Sequence, residues 1–391
     1  MFFFKRLILS LLTVLMISSI SFSGAAASAE SILEVNAADY GFNEIDATQA
    51  LQAAINSGAQ KVVVPNMGKD WIISKTINLI SNQEIFFEPG VFIVAKKGEF
   101  KGKNDSLVFA DNKENIVLRG YGATLKMQKA DYMGPDYEKA EWRMALSIRS
   151  CTNIQVLGLT CRDSGGDGVY IGVSNYQPKQ PYCENIIIRD VICDNNYRQG
   201  ISIISARDLL IENCILKNTS GTGPAAGIDF EPNSENEEFT NCVVRNCIIE
   251  NNEGAGICFY PVFIKKSNVD IKVESCQIRD NYYGLEFVGP YADHVKGLIE
   301  IINCQVEKTK AAGIYIRNKD KSMARVRFTN CSIKETATFS QSPIYFHIRD
   351  PKLSTCQGGV EFLDCIVTHM AISPLISVLG PDSNIGISDI F

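Results

Sequence analysis

Asp167-Gly-Val-Tyr-Ile171 is one copy of a five-residue phrase to which the chain keeps returning. The phrase recurs as QGISI (199–203), AGIDF (226–230), AGICF (255–259), YGLEF (283–287) and AGIYI (312–316), with looser copies MALSI (144–148), PIYF (343–346) and PLIS (374–377). Successive copies end 23 to 32 residues apart. A self-similar period of that size marks a solenoid, in which each repeat buries its apolar face only against its neighbours. Within a copy, a glycine or other small residue precedes apolar–variable–apolar. This alternation is that of a strand with one face buried. Val169/Ile171, Ile201/Ile203 and Ile228/Phe230 then point inward. Tyr170, Ser202, Asp229, Cys258, Glu286, Tyr315 and Tyr345 point outward, about 4.8 Å apart from turn to turn.

Other columns run through the same period. Cys214, Cys247, Cys276, Cys304, Cys331 and Cys365 share one repeat position and read as an internal stack of free thiols. Cys151 and Cys183 hold equivalent places one turn apart, a spacing that also admits a disulfide. The residue before each cysteine is polar, Asn213, Asn246, Ser275, Asn303, Asn330 and Asp364, and Asp190 holds the same place before Val191. Such a column suits a tight bend in which side-chain amides hydrogen-bond up the stack.

The flanks frame this repeat. Lys5-Arg6, an apolar run from Leu7 to Ile20 and the small residues Ala27-Ser28-Ala29 read as a signal peptide over 1–29, so a secreted protein is expected. The apolar run is short for a membrane span. Without Lys5 and Arg6 the chain carries 36 basic against 44 acidic side chains. No basic cluster suggests nucleic acid as a partner, and a monomer without membrane attachment is expected. Residues 30–391 read as one domain. Asp46 and Gln49 cap a helix that ends before Gly58, the natural cover for the open N-terminal end. Short strands over 61–95 make the first turns. Parallel strands joined by short turns add up to a parallel β-helix of ten or eleven turns.

The repeat, the glycine-led strands, the Asn column and the N-terminal helix resemble the right-handed parallel β-helix superfamily of pectate lyases, which includes alginate-type lyases, polygalacturonase-like hydrolases and C5-epimerases. The resemblance covers about 45–391. It implies an acidic polysaccharide lying along one sheet between flanking loops. The longest loops here are 128–143, 172–184, 218–225 and 231–240. They place the site at the turns of Tyr170, Ser202 and Asp229.

Candidate groups there include the carboxylates Asp163, Asp167, Asp229 and Glu231, the cations Arg198 and Lys217, and several tyrosines. Asp229 and Glu231 are two apart in one strand, so both should face outward about 7 Å apart. That spacing suits sugar hydroxyls, a calcium ion or a hydrolytic acid/base pair. A lyase on a uronate polymer needs a base for the proton beside the carboxylate, a cation to neutralise that carboxylate, and an acid for the leaving oxygen. Tyr182 and Lys217 come from opposite borders of the same sheet and are the expected catalytic pair, as Lys/Tyr pairs are in the alginate-type lyases of this superfamily. Arg198, Asp229, Glu231, Tyr170, Gln199, Tyr260 and Arg143 are expected to bind substrate. The hydrolase pattern of the polygalacturonase group is missing: the matching turns read SGGDG, NYRQG and AAGID, without histidine. The Asp-Pro-His-Glu signature of alginate epimerases is absent as well. The reading is therefore a lyase acting on an acidic polysaccharide, alginate before pectate. The alternatives are a glycosidase or epimerase using Asp229 and Glu231, and a carbohydrate-binding solenoid without catalysis.

Overall fold

The computed structural model describes residues 32–289, 295–336, 342–349, 358–369 and 373–380. The expected signal peptide, His294 and the C-terminal NIGISDIF segment lie outside them. Among the described residues, each turn from Lys61 onward contributes one strand to each of three sheets, and the strands named here pair in parallel. Among the described residues, sheet 1 has 12 strands and sheets 2 and 3 have 11 each. One turn shows the plan: Val169–Gly172 lies in sheet 3, Cys183–Arg189 in sheet 1 and Ile192–Asp194 in sheet 2, and Ile201–Ile203 returns to sheet 3 one rung on.

The repeat phrase is the strand of sheet 3. Its inward residues stack as Ile148, Ile171, Ile203, Phe230, Phe259, Phe287, Ile316 and Phe346. Phe230, Phe259 and Phe287 lie nearly parallel, with centroids 5.5 and 4.7 Å apart. Stacked identical side chains fill a solenoid core because neighbouring rungs repeat the same geometry. The glycine of the phrase answers a close approach between rungs. A Cβ on Gly168 would sit 2.7 Å from the Gly200 carbonyl oxygen, and one on Gly200 would sit 2.5 Å from that of Gly227.

The Asn column does what its position demands. Asp190, Asn213, Asn246, Ser275, Asn303, Asn330 and Asp364 all take left-handed backbone angles, with φ between 52° and 56°. Asn and Asp tolerate this region better than most residues. Asn213 donates to Asp190, and Asn330 donates to Asn303 at 2.7 Å. A second ladder runs near the start of the sheet 1 strands: Asn115 donates to Asn82, Asn153 to Asn115, and Asn185 to Asn153. A third marks the exit from sheet 2, where Asn195 donates to Asp163 and Asn251 to Asn218.

The cysteine column is internal. Cys214, Cys247, Cys276, Cys304 and Cys331 are buried free thiols, each near a backbone carbonyl, and Cys365 is half-buried. Cys151 and Cys183 are free as well, so the admitted disulfide is not formed. The helix runs Thr48–Asn56, and Asp46 accepts from the Thr48 amide at 3.1 Å. Its buried face of Ala50, Leu51, Ala54 and Ile55 packs against the first strands of sheets 2 and 3, which closes that end. From Leu33 onward the described residues form one compact unit.

Candidate active site

The outward column of sheet 3 runs Ser147, Tyr170, Ser202, Asp229, Cys258, Glu286, Tyr315 and Tyr345, in the register expected. Asp167 and Arg198 stand just before their sheet 3 strands, one rung apart. The amides of Tyr197 and Arg198 both donate to the Gly166 carbonyl at 3.0 Å, which fixes the approach of Arg198 to the strand carrying Asp167. Glu231 follows Phe230 directly and begins the loop toward sheet 1. Glu141 arrives from the 128–143 loop.

These residues converge. Arg198 Nη2 donates to Glu231 Oε2 at 2.5 Å, its Nη1 lies 4.0 Å from Asp167 and its Nε lies 3.9 Å from Glu141. Gln199 Nε2 donates to Asp229 Oδ2 at 3.0 Å, and Gln199 Oε1 accepts from the Ala226 amide. Asp167 and Asp229 are 0 % exposed, whereas the Glu231 side chain is 27 % exposed. Neither oxygen of Asp167 has a hydrogen-bond partner, nor does Asp229 Oδ1 or Ser202 Oγ.

Burial in a medium of low dielectric disfavours the charged carboxylate. It pushes the Asp167 carboxyl up to about 7, against the pull of Arg198. Asp229 is raised well above the usual carboxylate range, first by burial and then by the negative charge of Glu231, within whose hydrogen-bond reach it lies. Burial works against the Arg198 charge, but Asp167, Asp229 and Glu231 outweigh it and keep the guanidinium cationic. One fixed cation therefore faces four carboxyls, two of them sealed from water. Burial thus favours the protonated form of Asp229, directly beneath Glu231. A proton-holding acid beside a carboxylate is what general acid–base chemistry requires.

The outward parity of Asp229 is correct, but the open pair expected of Asp229 and Glu231 is not what forms. The strand ends at Phe230, and Glu231 folds back onto Arg198 and Asp229. Arg143 is also corrected as a substrate ligand. It is 0 % exposed and donates to the carbonyls of Phe100, Lys101 and Glu138, with its guanidinium 5.4 Å from the Tyr132 ring centre. It anchors the 128–143 loop instead. Tyr182 and Lys217 are not brought together. Lys217 ends a sheet 2 strand, level with Asp194 and Glu250 on that sheet's outer face. Tyr182 precedes a sheet 1 strand and carries the Arg207 guanidinium 4.2 Å from its ring centre. Tyr170 lies beneath Arg149 at 4.9 Å, and Tyr260 packs with Ala226, Ala255, Cys258 and Tyr283. Gln199, expected to bind substrate, is buried and holds Asp229 in place. Glu141 escaped the sequence reading because nothing in a polar loop says which of its carboxylates turns inward.

Calcium does not suit this cluster. Arg198 sits among the carboxylates where a cation would have to be, and among the described residues no group of three or more His, Cys, Asp or Glu is arranged to hold a metal.

The family described as a right handed beta helix region matches residues 138–292. The uncharacterized protein YclG of Bacillus subtilis (strain 168) is 27 % identical over 253 residues, which cover 57 % of this chain and 43 % of that relative. The match thus spans less than half of the relative's length. Among solved structures, the A-module of the mannuronan C-5 epimerase AlgE4 of Azotobacter vinelandii superposes with a TM-score of 0.54 at 13 % identity, over 88 % of this chain and 100 % of that one. The family 28 exopolygalacturonase of Yersinia enterocolitica gives 0.57 at 12 %, over 92 % of this chain and 77 % of that one. At these identities the likeness is one of fold, and it makes the solenoid a right-handed parallel β-helix.

Proposed function

Taking a right-handed parallel β-helix as the scaffold, we propose that this chain is an enzyme that processes a polysaccharide by acid–base catalysis on the outer face of sheet 3, with glycosidic hydrolysis as the reaction. The observation that carries this reading is the sealed pair Asp167 and Asp229 beneath the partly exposed Glu231, with Arg198 joining Asp167 to Glu231. Glu231 is the group that meets substrate. Arg198 holds it in place, and Asp229, whose protonated form burial favours, lies within its reach. Protonation of a departing glycosidic oxygen needs a carboxyl that is still protonated near neutral pH, and burial supplies one. The solved structures of this fold include an epimerase and a polygalacturonase by name. A polysaccharide, and among polysaccharides a uronate polymer such as alginate or pectate, is therefore the substrate class to test first. The expected leader peptide makes this an extracellular activity.

β-Elimination by Tyr182 and Lys217 would need the two groups on either side of one sugar, and they stand over different sheets. Incubation with alginate, polygalacturonate and neutral glucans separates the reactions. New reducing ends without absorbance from unsaturated uronates support hydrolysis. Unsaturated products would replace hydrolysis by elimination. A changed uronate composition without chain shortening would point to epimerisation at the same cluster. No change in any polymer would leave a binding solenoid.

A further inference from the structure

On the N-terminal side of the carboxylate cluster, sheet 3 carries a second concave feature. It is a pocket of about 280 Å³ lined by Asn78, Asn104, Phe109, Asp111, Arg149 and Tyr176, together with Thr76, Ser106 and Asn175. Two of its charged side chains keep unspent polar atoms. Arg149 donates from Nε to Ser147 Oγ at 3.1 Å, and its other guanidinium nitrogens have no partner among the described residues. Asp111 Oδ1 is buried without a hydrogen bond. Arg149 and Asp111 make no ion pair with each other, so both remain free to meet a ligand.

Arg149 is held rigid. Its guanidinium stands 5.8 Å from the centre of Phe109 and 4.9 Å from that of Tyr170, so ring faces from two neighbouring rungs fix its position. Tyr176 is 82 % exposed, yet its backbone is tied down. Its amide donates to Ser174 Oγ, and that hydroxyl donates back to the Tyr176 carbonyl. The Asn112 side chain also bonds Ser174 and accepts from the Lys179 amide, tying the loop to the end of a sheet 3 strand. An exposed aromatic on a fixed backbone, beside an unpaired arginine and an unpartnered carboxylate, is a built recognition surface rather than a loose loop.

We propose that this pocket is a distal subsite for one acidic sugar residue of the polymer. Arg149 takes the sugar carboxylate, Asp111 and the asparagines take hydroxyls, and Tyr176 covers the apolar face of the ring. The arginine argues for an acidic rather than a neutral sugar, because a carboxylate can take the two unspent guanidinium donors together. The volume falls just below the roughly 300 Å³ at which ligand pockets begin, which fits one ring. The strand of Arg149 lies three rungs from that of Asp229, about 14 Å along the stack. The subsite thus lies a few sugar residues from the carboxylates and would set both the charge preference and the minimum length of the substrate. This inference rests on the polysaccharide reading above and deepens it.

Calorimetric titration with hexamannuronate, hexagalacturonate and cellohexaose, in the wild type, Arg149→Ala, Tyr176→Ala and Glu231→Gln, tests it. The expected result is that Arg149→Ala weakens the better acidic hexasaccharide by at least about tenfold and leaves cellohexaose unchanged. Tyr176→Ala, exposed enough to leave the fold intact, weakens the same ligand, and Glu231→Gln still binds it. Equal affinity in wild type, Arg149→Ala and Tyr176→Ala overturns the subsite, as does binding of none of the three sugars. Arg149-dependent binding without turnover of any polymer would remove the enzymatic reading and leave the subsite standing. Glu231-dependent turnover indifferent to both pocket variants would do the reverse.

Discussion

Arg198 lies 2.5 Å from Glu231 through one guanidinium nitrogen while another lies 4.0 Å from Asp167. A single cation thus joins a carboxylate that reaches solvent to one that does not. The strands supplying the three residues are successive rungs of one sheet, so the rigidity of the solenoid is transmitted to the site.

If Glu231 is the group that meets substrate, Glu231→Gln should lower turnover of whichever polysaccharide the wild type processes by at least about 100-fold. Its melting temperature should stay close to that of the wild type, since the side chain is partly exposed. Full activity in this variant, measured by reducing-end release, would remove Glu231 from the chemistry.

Arg198→Leu leaves Asp167 and Glu231 without their cation. Breaking one side of a buried ion pair costs about 3–5 kcal/mol. Equilibrium denaturation should show a loss of that order. In an Asp167→Asn background the same substitution should cost less, because one of the stranded charges is already gone. Equal costs in the two backgrounds would mean that Arg198 and Asp167 are not coupled.

Asp167 gives stability a pH dependence with a definite sign. Its folded carboxyl titrates at about 7 against an ordinary value of 3.8. Between those values the folded chain keeps a proton that the unfolded chain has released. Stability therefore falls as pH rises through this window, by up to about 1.4 kcal/mol per pH unit, and levels off above it. Asp167→Asn lacks this contribution. Relative to the variant, the wild type should lose stability between pH 4 and 7, and parallel pH profiles would contradict the burial-driven shift.

Asn153 sits in the second ladder with φ at 57°, donates to Asn115 at 2.8 Å and accepts from Asn185 at 2.8 Å. Asn153→Ala loses both bonds and puts a Cβ residue without polar compensation into the left-handed region. A cost of about 2–4 kcal/mol follows. Asn153→Gly also loses the bonds but tolerates the angle, so it should be the milder change by about 1 kcal/mol. Denaturant midpoints of the pair decide this, and the reverse order would show that backbone strain is not what the asparagine relieves.

Phe259 is stacked between Phe230 and Phe287 at the centre of the core. Phe259→Ala should destabilise by about 3–5 kcal/mol, and Phe259→Leu by clearly less, since it refills most of the cavity. Calorimetry of both variants checks the order.

Much of the fold was legible in the chain because a solenoid repeats its demands. The glycine-led phrase fixes parity, the cysteine column names an inward position and the asparagine column names the bends. Each signal recurs every turn, so noise at one rung is corrected by the next. The site offers no such redundancy. Asp229 could be placed on the outer face of sheet 3 from parity alone, yet nothing local showed that Gln199, Arg198 and Glu231 would cover it. Tyr182 and Lys217 lead to and from the same sheet, but their side chains belong to the faces of its two neighbours. Arg143 looked like a surface cation in a polar loop and is the loop's buried anchor.

The division follows from the range of the forces. Period-two alternation, tolerance of left-handed angles and the burial of small thiols are properties of a residue and its immediate neighbours, and the order of residues settles them. Whether a carboxyl is ionised depends on which charges lie within a few ångströms and how much water is excluded. Glu141, Asp167, Arg198, Asp229 and Glu231 span 90 positions of sequence and meet only because three rungs and one long loop close on the same point. That meeting, and the upward push it gives the buried carboxyls, belongs to the tertiary structure.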